Sequence, residues 1–391
     1  MHPIPVSDID LFADDAIADP YPAYRVLRDL GPVVFLAKSG VHAMARYETV
    51  RDALRNHQAF SSAQGVAVDD ARARKGVGNL LASDPPEHDR LRKVIMAPLS
   101  PTAVSAMRAE VSATAQKVVD GLVDKGSFEV VTEFAQALPL SIVSYMVGLP
   151  EEGRENMLKW ASATFDALGP DNERSRLAQP LVDEMRSYAV DVAKRGKVKA
   201  GGWADRLLDL AESGEVEAER VPSLLRDFVG PALDTTILGA STLFYHLARN
   251  PDQWALLREK PELLRNAISE ALRLDSPVRG MTRVATRDME FEEYILPEGS
   301  RVLMLFGSAN RDERKWSQPD DFLIDRKNSD HLGFGFGVHS CAGMHLARLE
   351  IESLFQALLA RAKTLSVSEP RWLANNSLHG FSSLQAQVEA S

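Results

Sequence analysis

Cys341 is the only cysteine among 391 residues, and it closes a glycine-rich run, Phe334-Gly335-Phe336-Gly337-Val338-His339-Ser340-Cys341-Ala342-Gly343, that opens directly into a helical pattern. A thiolate is a soft, strongly donating ligand, but one alone cannot complete a structural zinc site or hold an iron–sulfur cluster. Haem iron needs a single protein ligand on its proximal side, so a lone thiolate suits it best. The bland alternative is a buried free cysteine, which packs as a small hydrophobe. The surroundings weigh against it. Gly333, Gly335 and Gly337 alternate, a spacing that spoils strand and helix interiors but lets backbone pass close to a large flat ligand. The sulfur also precedes a helix start near Gly343, where unpaired N–H groups and the helix dipole stabilise negative charge.

Hydrophobic residues make up 45% of the chain, enough for an extensive core. The formal charge of −10 argues against general binding to nucleic acid or to an anionic membrane. No apolar stretch approaches the roughly 18 residues that span a bilayer, and the N-terminus lacks a basic segment followed by an apolar one. With no disulfide framework available, the expectation is a soluble cytoplasmic protein.

No repeat, low-complexity tract or linker divides the sequence, so residues 1–391 read as one domain, mainly α with small β-sheets. Apolar periodicity predicts helices over 22–30, 48–56, 102–124, 137–147, 219–250, 262–274 and 343–362, and strands over 33–36, 301–305 and 384–388. The pattern from Glu219 to Asn250 contains Gly230, Pro231 and Gly239, which predicts a break near its middle. Residues 61–83 read as a mobile surface loop.

Asp234-Thr235-Thr236 follows that break. An acid beside a hydroxyl at a helix distortion can relay protons; the plainer reading is a threonine bonded back to a helical carbonyl beside an exposed aspartate. Glu270 and Arg273 stand three apart on one helix, by itself a weak surface pair. His88 and Arg92 lie one turn apart, and Arg283 follows the Glu270 helix.

The stretch from Phe334 to Arg348 resembles, position for position, the haem-binding signature of the cytochrome P450 monooxygenases, Phe-Gly-x-Gly-x-His-x-Cys-x-Gly-x-x-x-Ala-Arg. A dinucleotide fingerprint is the nearest false reading, but Ser340 takes the place of its third glycine and no βαβ unit surrounds it. The resemblance runs from Pro20-Tyr21-Pro22 to Asn375-Asn376-Ser377-Leu378. It implies the cytochrome P450 fold, one large haem-enclosing domain, holding heme b (iron protoporphyrin IX) with Cys341 as axial ligand and Phe334 and Gly335 beside it. By the same resemblance His88, Arg92, Arg283 and His339 match the propionate ligands, with arginine geometry suited to carboxylate. Asp234 and Thr235 match the acid–alcohol pair that delivers protons during O2 activation, and Glu270, Arg273 and Arg326 match a buried structural triad.

Within the family the chain is most similar to soluble bacterial enzymes that oxidise para-substituted benzoic acids, often by O-demethylation; Gly307 to Asp312, Phe165 to Pro170 and Arg226 carry that likeness. The implied pocket wall is Leu80, Leu81, Phe165, Leu168, Gly230, Leu233, Val278, Met281 and Phe381, apolar side chains that suit a flat aromatic substrate. Gly78 and Gly230 stand where that subgroup has serines for the substrate carboxylate. An acid would therefore rely on backbone N–H groups, Asn79, water, Arg74 or Lys75, and a neutral alkoxyaromatic remains an alternative. Electrons are expected from NAD(P)H through separate redox proteins, an acidic ferredoxin and its reductase, docking near Arg90, Lys93, Arg108 and Arg348, since no flavin or NAD motif is visible. A monomer is the family expectation. A peroxide-driven peroxygenase and a non-catalytic haem-thiolate sensor are the rival uses of such a site.

Overall fold

In the computed structural model, which describes residues 2–391, the long pattern between Glu219 and Asn250 is two helices, Val221–Ala232 and Asp234–Arg249, meeting at Leu233. Pro231 has no N–H to donate and its ring crowds the carbonyl four residues back, so the ladder is interrupted there. Gly239 does not break the second helix; it permits close packing. A Cβ there would lie 3.1 Å from Leu272 Cδ2 and 3.3 Å from Ile351 Cδ1, side chains of the helices Leu264–Leu274 and Met344–Arg361.

The pattern over 102–124 also divides, into Pro101–Ala106 and Arg108–Lys125. Periodicity does not single out Glu87–Leu99 or Glu173–Val192, whose interiors contain Pro98 and Pro180. Met157–Asp166, Trp203–Glu212 and Pro251–Glu259 are further helices beyond those predicted. The loop over 61–83 contains a short helix, Asp70–Lys75, capped by the Asp69 side chain accepting from Arg72 N–H. Contrary to the expectation from the sequence, one apolar stretch does reach membrane-spanning length: Val130–Val147 is 18 residues with a mean hydropathy of 1.4. It is 56% buried, and Val130, Phe134, Leu138 and Val143 pack in the main core.

The sheets are small. Six short strands pair in the order Val6–Ser7, Val34–Leu36, Val41–Met44, Arg301–Met304, Met281–Ala285, Phe60–Ser61. In it Arg283 lies opposite Val302. A three-stranded sheet joins Ala362–Val367, Gln385–Ala390 and Ser127–Glu129.

Glu270 and Arg273 are fully buried, not a surface pair. Arg273 grips both carboxylate oxygens at 2.9 Å, Arg326 Nε donates to Oε1 at 2.8 Å, and Asn328 donates to Oε2 at 3.2 Å. Arg273 also donates to the carbonyls of Asn310 and Pro319 at 2.7 and 2.8 Å. Removing one member of a buried pair strands its partner's charge, so Arg273→Ala is expected to cost about 3–5 kcal/mol. Urea unfolding followed by tryptophan fluorescence checks this; a midpoint unchanged from wild type would show that the pair is not holding the helix to its loop.

Candidate active site

The cysteine loop is shaped as much by its protein neighbours as by any ligand. A Cβ on Gly333 would meet Leu272 O at 2.7 Å, and one on Gly337 would meet Leu54 O at 2.4 Å with φ at +73°. These two glycines therefore let backbone pass backbone. Gly335, with φ +67°, meets only His339 O at 3.5 Å. Cys341 N–H donates to Phe334 O at 2.8 Å, closing the loop. The thiol lies deep in the protein but faces an internal cavity of 380 Å³, which accounts for its accessible surface. Burial pushes its pKa up, while backbone N–H groups of Gly343 and Met344 and the charge of Arg92 act in the opposite direction.

Around that floor stands a group of buried donors that the protein leaves partly unpaired. His88 is buried, with Nδ1 on Asp89 Oδ1 at 2.9 Å and Nε2 without a partner; His339 Nε2 is also buried and unpartnered. The two rings are 4.4 Å apart. Arg283 is buried, and its one hydrogen bond runs to the neighbouring carbonyl of Thr282 at 2.8 Å. Burial pushes Arg283 down to about 10. Burial, then Arg283, His88 and Arg92, push His339 down to about 2. Arg92 reaches Ser340 O at 2.8 Å. Unsatisfied donors of this kind, beside a thiol that faces open space, fit a flat iron-bearing ligand with acidic substituents.

The cavity runs on past the helix break. Leu80, Leu81, Phe165, Leu168, Val278 and Met281 line it. Gly230, Leu233 and Phe381, expected in the wall, do not. Leu233 is fully buried in the main core, and Phe381 packs on Tyr245 and Trp372 with ring centroids 4.9 and 4.8 Å away. Gly230 sits behind Met185 and Thr164, so those side chains form the wall in its place.

At the rim, Lys75 and Asn79 line the cavity while Arg74 does not. Arg226 and Asp227 line it as well. Arg226 has no ion pair or hydrogen bond among the described residues, and Asp227 Oδ2 accepts from Leu80 N–H at 2.8 Å. Arg226 was legible only as a likeness, and Asp227, its chain neighbour, carried no signal of its own. Glu350 also reaches the cavity, fully buried with Oε1 unpartnered. Its signal was available: Leu346 and Leu354 stand four residues to either side, placing Glu350 on a buried stripe.

The family described as Cytochrome P450 matches residues 203–381. Cytochrome p450 CYP199A2 of Rhodopseudomonas palustris is 39% identical, covering 98% of this chain and 95% of its own. The chain belongs to the cytochrome P450 family. A beta-dihydromenaquinone-9 omega-hydroxylase of Mycobacterium tuberculosis is 32% identical over 98% of this chain and 79% of its own. The crystal structure of epothilone D-bound P450epoK superposes with a TM-score of 0.85 at 26% identity, covering 98% of this chain and all of that one. As a P450 the protein is a monooxygenase that uses haem and O2.

In this P450 the acid and alcohol at the break differ in setting. Thr235 Oγ1 donates to Pro231 O at 2.8 Å, the back-bonded arrangement, while the cavity is lined by Thr235 and Thr236. Asp234 is not an exposed aspartate: Oδ2 is buried without a partner. Burial, then the nearby Asp166 carboxylate, pushes it up to about 7. Asp166, which accepts from Asn376 N–H at 2.8 Å, is pushed up to about 6 by burial. A carboxyl near neutrality can give and regain a proton at little cost. Infrared difference spectra of wild type against Asp234→Asn are expected to show a protonated carboxyl band that fades between about pH 6 and about pH 8. A band absent throughout that range would mean that Asp234 stays ionised.

Proposed function

We propose that this P450 oxidises a small aromatic substrate, a para-substituted benzoic acid, by O-demethylation or hydroxylation at the substituent opposite the acid. The observation that carries the reading is Arg226, a guanidinium on the cavity wall with no protein partner. Arg226 lies on the helix before the break and Thr235 on the helix after it, and both line the cavity, which spans from one to the other. A ring with groups at opposite ends bridges such a span, and Phe165, Leu168, Val278 and Met281 offer it dispersion contacts. Gly78 and Gly230 bring no hydroxyl, and Gly78 O is taken by Arg220 at 2.8 Å, so the acid rests on Arg226 with Lys75 and Asn79 nearby.

Cys341, with His88, Arg92, Arg283 and His339, would hold the haem, which supplies O2 activation when bound. The chain's own part is to orient the substrate from Arg226, exclude water with the apolar wall, and move protons at Asp234 and Thr235. Two electrons and two protons accompany each O2: one oxygen atom enters a methoxy C–H and the other leaves as water. The hemiacetal formed on the substrate then loses formaldehyde. Turnover of 4-methoxybenzoic acid with NADH, a ferredoxin and its reductase is expected to give 4-hydroxybenzoic acid and formaldehyde. Thr235→Ala is expected to keep reductant consumption while lowering product per NADH several-fold. Unchanged coupling in that variant would remove Thr235 from proton delivery; product with hydrogen peroxide and none with ferredoxin would favour a peroxygenase.

The electron donor is expected to be a small acidic ferredoxin. Arg90 is committed to Glu87 at 2.9 Å and Glu217 at 2.8 Å. Arg348 lies over the Phe334 ring at 5.2 Å. Exposed Lys93, and Arg108 at 3.7 Å from Glu352, are the cations left to receive it. Reversing both charges is expected to slow the first electron transfer several-fold at low salt, with the difference shrinking at high salt. Identical stopped-flow rates would place the docking surface elsewhere.

A further inference from the structure

Two acids line the cavity, Glu350 and Asp227, and Asp227 stands next to the unpaired Arg226. Asp227 lies deep in the protein but keeps surface toward the cavity. Its Oδ2 is tethered to Leu80 N–H at 2.8 Å; Oδ1 has no partner among the described residues. Lys75 on the cavity wall has no ion pair among the described residues, and the remaining arginines at this end are committed. Arg72, on the short helix with Lys75, binds Asp171 and Gln179, and Arg186 binds Asp183. Arg220 binds Glu87 and the Gly78 carbonyl. Among the described residues the head-group end therefore offers two cations without a side-chain partner, Arg226 and Lys75, and one free carboxyl oxygen, that of Asp227.

We propose that Asp227 decides which head groups the cavity accepts: protonated, it donates to an aromatic carboxylate held by Arg226, and ionised, it repels that carboxylate and accepts from a neutral donor such as a primary amide. The inference rests on the reading that Arg226 receives the head group. A ligand carboxylate brought against the Asp227 carboxylate in a dry site meets like-charge repulsion, so an acid ligand binds together with a proton on Asp227. The protonated Asp227 carboxyl supplies a hydroxyl donor at this end. Burial pushes Asp227 up to about 7, against the opposing pull of Leu80 N–H and Arg226. Below that pH the proton is already in place; above it, binding must take the proton from solvent, and affinity for the acid falls.

The test is a Soret titration of the holoenzyme with 4-methoxybenzoate and with 4-methoxybenzamide, from about pH 6 to about pH 9, in wild type, Asp227→Asn and Arg226→Gln. Asparagine keeps an acceptor for Leu80 N–H, so the loop stays tethered. In wild type the Kd for the acid is expected to rise about tenfold per pH unit above neutrality, while Asp227→Asn holds it flat and the amide shows no such rise. A flat wild-type profile for the acid, or the same slope in Asp227→Asn, overturns the role of Asp227 even when Arg226→Gln weakens the acid. If Arg226→Gln leaves the acid's Kd unchanged, the head-group reading fails and this inference falls with it. Absence of any spin-state shift with the acid at the lowest pH also overturns it.

Discussion

The Glu270 carboxylate, inaccessible to solvent, is held by Arg273, Arg326, Asn328 and the N–H of Leu323. Its partners come from its own helix and from the loop that leads toward Cys341, so this one charge fixes where that loop begins. From there Gly333 passes under Leu272 O and Gly337 passes Leu54 O, both too closely for a side chain. The sulfur is thereby placed at a helix start facing the cavity. Desolvating such ions offsets most of their attraction, so the cluster acts as a positional constraint more than a source of net stability.

The interior charge pattern bears no relation to the net charge of −10. One pole of the cavity gathers Arg92, Arg283 and His339, with His88 buried against His339, and the other carries Arg226 with Asp227. Between and beside them Asp234, Asp166 and Glu350 are buried carboxyls pushed upward, the first two to about 7 and about 6. Desolvation dominates all three because few hydrogen bonds reach them. An apolar cavity with donors at one end and buried acids close by can bind an acidic cofactor and move protons without filling itself with bulk water.

Motif chemistry was legible wherever it depends on local covalent structure. Pro231 interrupts a helix by lacking an N–H, wherever the helix lies. The glycine loop and its cysteine were readable because their spacing is local. The walls were less so: Phe381 and Leu233 have the right chemistry but turn into the core, and Thr164 and Met185 stand in front of Gly230. Pro98 and Pro180 mask two helices that tolerate them, and the predicted helix 137–147 does not reveal the turn Val130–Ala135 that extends its apolar run to 18 residues.

The sequence alone determined the glycine loop that ends in Cys341, the broken helix and the mainly helical fold, because these follow from residue type and short-range spacing. Tertiary structure decided which acids lose water, and so which titrate near neutrality. It buried the Glu270 pair that i,i+3 spacing would leave on the surface, and it left Arg226 unpaired beside Asp227. Burial and partner choice depend on side chains far apart in the chain, and no local pattern encodes the distance between them.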